Sequence, residues 1–100
     1  MMFFGFFRGM NYGKCSDDFA SYEKIKNKLS KSAVLAYLKS LPISAVTPMS
    51  TADIFTGAPL EQAGIIEDGQ FCFPIDFIHY YEKYDIGIPV EYEDYLKNLI

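Results

Sequence analysis

The sequence predicts a mainly helical α+β fold, with four or five short helices and one small β-hairpin, in a single domain spanning 1–100. Three observations predict this class. Apolar residues recur at helical spacing in the first half, Asp68-Gly69 separates two apolar runs, and two proline-led segments near the end each begin an apolar stripe. With 50% hydrophobic and 17% aromatic residues, the chain can form one ordered core.

Two helices, or one kinked helix, are predicted for residues 17–41. Asp17 or Asp18 can cap the first helix by accepting hydrogen bonds from its unpaired N–H groups. An apolar stripe at spacings of three and four follows, the polar residues 30–32 indicate a break or a second cap, and a second stripe ends before Pro42.

The remaining segments before the hairpin give weaker signals. The phenylalanines of 3–7 indicate a short strand or extended segment packed on the core. Residues 42–59 contain three prolines and several hydroxyl residues, which is typical of a loop. Within it, Ser50 and the acid three residues later predict a short helix over 51–56, and a further helical turn is expected after Pro59.

The strongest local signal is Asp68-Gly69. A two-residue hairpin turn that needs positive φ at both central positions favours this dipeptide. The sequence therefore predicts a ribbon in which 64–67 pairs with 70–73. Because an isolated hairpin is marginally stable, it is expected to pack on the helices.

The segments 74–77 and 89–92 share one pattern of proline, aliphatic, acid and aromatic residues. Proline suits the first helical position, and an acid in the first turn faces the positive end of the helix dipole. We therefore expect helices over about 74–84 and 89–99. Together the stripes predict a buried core of Phe19, Tyr22, Ile25, Leu29, Leu35, Leu38, Leu41, Ile54, Phe55, Phe71, Phe73, Phe77, Tyr81, Tyr92, Leu96 and Leu99.

Charge is unevenly distributed along the chain. The net charge is −4, but residues 1–40 carry seven bases against three acids, whereas 61–100 carry nine acids against two bases. An acidic half repels nucleic-acid phosphates and attracts basic proteins, although such a run can also be a solvated face. We therefore expect no direct binding of nucleic acid.

The sequence carries few residues for chemistry. It has one histidine, His79, and two cysteines, Cys15 and Cys72, without metal-ligand spacing, and its seven glycines form no phosphate loop. A nucleophile–base pair of His79 with a cysteine is the remaining catalytic alternative. We expect no enzyme activity, no cofactor and no metal site, with reduced thiols in the cytoplasm. The apolar start is too short for a membrane span, so no membrane association is expected.

Acids and tyrosines concentrate towards the C-terminus, which favours binding to a protein. Tyrosine gives a large contact area at small entropic cost, and acids steer a basic partner. Alternatively, the tyrosines only flank the core. The candidate partner-binding residues are Glu67, Asp68, His79, Tyr80, Glu82, Tyr84, Asp85, Glu91 and Asp94.

The stretch DGQFCFPIDFIHYYEKYDIGIPVEYEDYL, residues 68–96, resembles bacterial immunity proteins of contact-dependent growth-inhibition systems. The resemblance implies a small cytoplasmic chain, monomeric in a 1:1 complex, that neutralises a cognate toxin domain, commonly a basic nuclease, by covering its active site or substrate surface. These proteins share no common fold, so no site residue carries over. The alternative is a phage or plasmid antagonist that binds a host nucleic-acid enzyme by charge mimicry, with carboxylates spaced along one face.

Overall fold

A computed structural model describes residues 1–100 as a sheet-rich α+β fold, with 30% of the residues in helices and 21% in strands. The prediction of a mainly helical fold was therefore wrong. The structure has four helices, but it also has one mixed four-stranded sheet and a separate two-stranded sheet. The elements are β1 (Met2–Phe3), α1 (Phe19–Glu23), α2 (Lys31–Ser40), β2 (Ala45–Thr47), β3 (Thr51–Ala52), β4 (Pro59–Leu60), β5 (Ala63–Asp68), β6 (Phe71–Pro74), α3 (Asp76–Lys83) and α4 (Val90–Leu96).

The main sheet has the strand order β1-β6-β5-β2. Strands β5 and β6 form the hairpin, β2 pairs antiparallel with β5, and β1 pairs parallel with β6. Helix α3 follows β6 directly and packs against both that strand and α2. The hairpin therefore forms the two central strands of the main sheet, with β1 at one edge and β2 at the other.

The predicted hairpin exists, but its turn lies one residue later. Asp68 pairs with Phe71, so the two central turn residues are Gly69 and Gln70. Gly69 has φ +60°, and no residue other than glycine has positive φ. Positive φ at the first central position alone is the pattern of a type II′ turn. The shift makes Asp68 the last residue of β5, where its side chain is buried.

The short helices predicted at 51–56 and after Pro59 are absent. Instead, β3 pairs antiparallel with β4 across the turn 53–58. The side chain of Asp53 accepts hydrogen bonds from the N–H groups of Phe55 and Thr56, which closes a turn rather than a helix. In a capping box, the acid three residues after the cap accepts a hydrogen bond from the N–H of the cap residue that precedes it. Asp53 instead accepts from N–H groups that follow it, so the prediction of a helix capped by Ser50 was wrong.

Residues 17–41 form two separate helices. Asp18 caps α1 through the N–H of Ala20, and Ser30 caps α2 through the N–H of Ala33. Hydroxyl and carboxylate caps satisfy N–H groups that have no partner within the helix. Of the two alternatives, two helices are confirmed, although α1 ends at Glu23, well before the end of the apolar stripe that indicated it.

Both prolines lie before the helices that they were predicted to begin. Pro74 is the last residue of β6, and Pro89 lies just before α4 rather than in its first turn. The acids are in the predicted places, since Asp76 and Glu91 lie in the first turns of α3 and α4. Both helices also end earlier than expected, so Leu99 lies beyond α4.

The N-terminal phenylalanines belong to the core. Phe4 and Phe7 are 1% and 0% exposed, and the ring centre of Phe4 lies 5.2 Å from that of Phe77. Between them, Gly5 has φ +77°, and a Cβ added at this position would lie 2.6 Å from the Phe77 ring. The extended segment therefore inserts two rings against α3 while Met2–Phe3 extends the sheet.

Most of the predicted core residues are buried or partly buried. Phe55 and Leu99 are exceptions, with 55% and 52% of their surface exposed. No helix in the structure combines the length and the apolar character needed to cross a bilayer. Both cysteines are free. The list of predicted core residues omitted the buried residues Phe4, Phe7, Val34, Ile66, Tyr80, Ile86 and Ile88, although the segment 3–7 was expected to pack on the core.

Replacing Gly5 should destabilise the protein. In Gly5→Ala, a Cβ would lie 2.6 Å from the Phe77 ring, and the left-handed backbone alone costs about 1–2 kcal/mol. Gly13→Ala is the control, because nothing lies within 4 Å of its new Cβ. Urea unfolding should show a loss of free energy for Gly5→Ala and little change for Gly13→Ala. Equal stabilities would contradict the tight contact.

Candidate binding site: an acidic cleft beside helix α3

Most of the tyrosines and several of the acids bond to one another inside the protein. Six of the eight tyrosine hydroxyls donate to aspartate carboxylates. A phenol donor replaces the water that a buried carboxylate loses. Three of the C-terminal tyrosines, but only two of the C-terminal acids, Asp68 and Asp76, are therefore engaged in these internal bonds. The pairs are Tyr12 with Asp76, Tyr22 with Asp17, Tyr84 with Asp53, and Tyr37, Tyr92 and Tyr95 with Asp68.

Asp68 holds three of these hydroxyls. Tyr37 of α2 and Tyr92 of α4 donate to its Oδ2 at 2.8 Å each, and Tyr95 donates to Oδ1 at 3.2 Å. Burial, followed by the bond to this carboxylate, raises the pKa of Tyr92. Asp68 therefore joins the end of β5 to two helices. Asp68 was predicted to contact a partner, but both of its oxygens accept hydrogen bonds inside the protein.

Asp53 is the second carboxylate with several donors. Its side chain is fully buried, and its Oδ2 lies 2.8 Å from His79 Nε2 and 2.8 Å from the Tyr84 hydroxyl. The N–H groups of Phe55 and Thr56 donate to Oδ1. Burial opposes ionisation, but these hydrogen bonds outweigh it and hold the pKa of Asp53 well below its ordinary value.

Next to this carboxylate is a cleft of about 530 Å³ between α3 and residues 58–62. His79 lies in its wall, and the exposed carboxylates of Glu61 and Glu82 border it. Apolar surface between the acids comes from Leu60 and Ile78. The site therefore combines negative charge with an apolar lining, and such a combination can hold a long basic side chain.

Asp76, in the first turn of α3, adds a buried charge to the cleft. It is 3% exposed, and none of the ion pairs in the structure involves it. Burial raises the pKa of Asp76, although the Tyr12 hydroxyl donates to it at 2.8 Å and partly offsets this. A cationic group in the cleft would supply the missing countercharge.

The structure brings only part of the predicted site together. His79 and Glu82 both line the cleft. Tyr84 is half-buried behind Asp53, and Tyr80 is fully buried, so Tyr80 offers no contact surface. Its hydroxyl instead accepts the N–H of Ile54.

The other predicted acids are exposed but lie away from the cleft. Glu67 and Glu91 are on β5 and α4, and Asp94 forms an ion pair of 3.5 Å with Lys97. Asp85 lies in a separate hollow lined also by Lys26 and Lys31. A single acidic, tyrosine-rich face, as the sequence analysis expected, is therefore not formed by these residues.

Sequence reasoning missed Glu61 and Asp76, which line the cleft, and Asp53, which bonds to His79 in its wall. Asp53 is the only acid between residues 41 and 60, and that isolation was the one available signal for a specific role. Asp76 was interpreted only as a helix-dipole acid. Glu61 lies 21 residues from Glu82, and no local pattern predicts their proximity.

The residues that line the cleft supply negative charge and hydrogen-bond acceptors. His79 bonds to Asp53 only, and the Cys15 thiol donates to the carbonyl of Tyr12. The histidine–cysteine pair considered from the sequence is therefore not formed. No group of three or more metal-binding side chains occurs in the structure.

Comparison with protein-family models, curated proteins and solved structures gave no match to this chain. The class that the molecule defines is therefore a small sheet-rich α+β domain with an acidic cleft.

Removing a tyrosine hydroxyl from Asp68 should lower stability. Tyr92→Phe should cost about 1.5–3 kcal/mol, because a hydrogen bond to a buried charge is lost. Tyr81→Phe is the matched control, since Tyr81 is 2% exposed but has no carboxylate partner. Chemical unfolding measures both. If the two variants lost equal stability, the carboxylate bond would contribute nothing.

Asp53→Asn should be destabilising in a pH-dependent way. A carboxyl whose pKa is lowered on folding stabilises the protein above its unfolded pKa, about 4. That contribution is lost as the pH falls through the folded pKa. We expect a deficit of about 2–3 kcal/mol at neutral pH that narrows below about pH 4. Unfolding curves over this pH range measure it.

Asp76→Asn should change the pH dependence of stability in the opposite direction to Asp53→Asn. A carboxyl whose pKa is raised on folding lowers stability as the pH rises from its unfolded pKa through its folded pKa. Asparagine keeps an oxygen for Tyr12 but carries no charge. The variant should equal or exceed the parent in stability at neutral pH, and the difference should vanish near pH 4. A deficit at neutral pH would contradict this account.

Proposed function

We propose that this protein is an immunity protein that neutralises a cognate toxin domain, a basic nuclease, by binding it through the acidic cleft. One observation carries the proposal. Buried Asp76 has no positive partner and lies in the same cleft as the exposed Glu61 and Glu82. The Tyr12 hydroxyl and the N-terminus of α3 offset part of the cost of burying this carboxylate, but no cation does, so a cationic side chain of a partner would stabilise it further.

The cleft suits arginine or lysine side chains. Their aliphatic stems can lie along Leu60 and Ile78, and their charged ends can reach the carboxylates. Arginine is favoured because its planar guanidinium matches a carboxylate with two parallel hydrogen bonds. A nuclease presents such residues around its phosphate-binding surface, so an inhibitor that binds them covers that surface.

The distribution of exposed acids supports a basic partner. Six of the nine acids in the C-terminal part of the chain are exposed: Glu61, Glu67, Glu82, Asp85, Glu91 and Asp94. These acids would accelerate encounter with a basic protein. Charge mimicry of a nucleic acid needs carboxylates spaced along one face. It is less well supported, because Glu67, Glu82 and Glu91 lie on three different elements, β5, α3 and α4.

The remaining features of the proposal follow from the partner. The protein acts in the cytoplasm, where a nuclease toxin meets its substrates, and it binds as a monomer in a 1:1 complex. It needs no cofactor, because inhibition by covering a surface involves no chemistry.

The proposal predicts a toxin domain encoded beside this chain's gene, and it is tested with that domain after purification. Isothermal titration should give a dissociation constant in the micromolar range or tighter, weakening with added salt. Glu61→Lys/Glu82→Lys should weaken binding by about 100-fold or more, since like charges then face the partner. The exposed pair Lys39–Glu82 contributes little to folding, so the variant should remain folded.

The matched control is Glu67→Lys/Asp94→Lys. It changes the net charge by the same amount at exposed positions outside the cleft. Its binding should fall less than tenfold. Absence of binding by the parent protein would refute the immunity function, and a greater loss in the control would move the site to that other surface.

A further inference from the structure

A large aromatic side chain stands exposed near the cleft. Phe55 has 55% of its surface exposed, yet it rests on a base of other rings. Its ring centre lies 4.7 Å from that of Phe19, 5.3 Å from that of Tyr84 and 6.4 Å from that of Tyr80, all in edge-on geometry. The Phe55 ring therefore packs on other aromatic rings on one side and is exposed to solvent on the other.

The backbone that carries Phe55 is fixed by hydrogen bonds. The N–H of Phe55 donates to Asp53 Oδ1 at 2.8 Å, and the N–H of Ile54 donates to the Tyr80 hydroxyl at 2.8 Å. The N–H of Gly57 closes the turn on the Asp53 carbonyl, also at 2.8 Å. A side chain held in this way loses little entropy when it binds.

The same carboxylate connects this ring to the cleft. Asp53 Oδ2 bonds His79 in the cleft wall, and the Asp53 N–H donates to the carbonyl of Ala58, another cleft residue, at 2.9 Å. The turn and the cleft are therefore positioned by one buried group. Movement of the turn relative to α3 would break the hydrogen bonds of Asp53.

We propose that Phe55 is the apolar anchor of the toxin interface and that the cleft is its charged part. The inference rests on the proposed function and specifies the partner: its surface has an apolar pocket for one ring, bordered by arginine or lysine side chains. Rigid aromatic residues surrounded by polar groups carry a large share of binding energy in protein interfaces. Phe55 has this character, and it lies in the turn 53–58, whose last residue, Ala58, lines the cleft together with Glu61 and Glu82.

A second copy of this chain is a poorer occupant. A two-fold symmetric contact places the same patch of each copy against the other. Glu61 and Glu82 of both copies would then approach one another, and like charges across an interface are repulsive. A basic surface meets both the ring and the carboxylates favourably.

The test compares Phe55→Ala with Phe3→Ala against the toxin domain encoded beside this chain's gene. Phe3 is a matched control because it is also an exposed phenylalanine, at 62%, and lies on β1 outside the cleft. Phe55→Ala should weaken binding by about 30-fold or more, and Phe3→Ala by less than about threefold. Phe55→Trp, which keeps an aromatic ring, should bind better than Phe55→Ala. Thermal unfolding monitored by circular dichroism checks that each variant folds.

The outcomes separate this inference from the proposed function. If the parent binds and the cleft double variant loses binding, but Phe55→Ala matches Phe3→Ala, the anchor is refuted and the function stands. If the parent does not bind the toxin domain, both fall. A parent that sediments as a dimer, and that Phe55→Ala converts to a monomer, would replace the basic partner by a second copy and so overturn the inference.

Discussion

A carboxylate can be buried only where donors replace the water that it has lost, and in this protein tyrosine hydroxyls are the main donors. Asp68 joins β5 to α2 and α4 through three of them, and Asp53 joins the turn 53–58 to α3. Asp17 connects the N-terminal segment to α1 through Tyr22 and the N–H of Gly5. These bonds connect segments far apart in the sequence, so the sheet and the helices hold one arrangement.

This constraint also selects the surface available for function. Buried carboxylates that several internal donors engage are not free for a partner, and Asp68, which accepts hydrogen bonds from three tyrosines, is the clearest example. Glu93 is another, since it is buried and accepts the N–H groups of Lys28 and Leu29. For binding a partner, the exposed acids at the cleft are therefore more important than the net charge of the chain. The strong buried bonds keep those acids on a rigid surface.

The parts of the fold that depend on neighbouring residues could be predicted from the sequence. The hairpin at Gly69, the caps of α1 and α2 and the last two helices are of this kind. Strands β1 to β4 have two or three residues each, too few to show alternation, and they form through pairing with distant segments. The cleft depends on the same kind of long-range contact: His79 and Glu82 were identified from local composition, whereas their approach to Asp53 and Glu61 was not.

The tyrosine network has an optical consequence. The chain has no tryptophan, so its eight tyrosines dominate its near-ultraviolet absorption. Burial raises the pKa of all eight, to about 12 for Tyr80 and Tyr81. In alkaline solution, phenolate absorption therefore reports chain opening rather than independent titration of surface groups. The protein carries its own spectroscopic probe of folding, distributed from the first helix to the last.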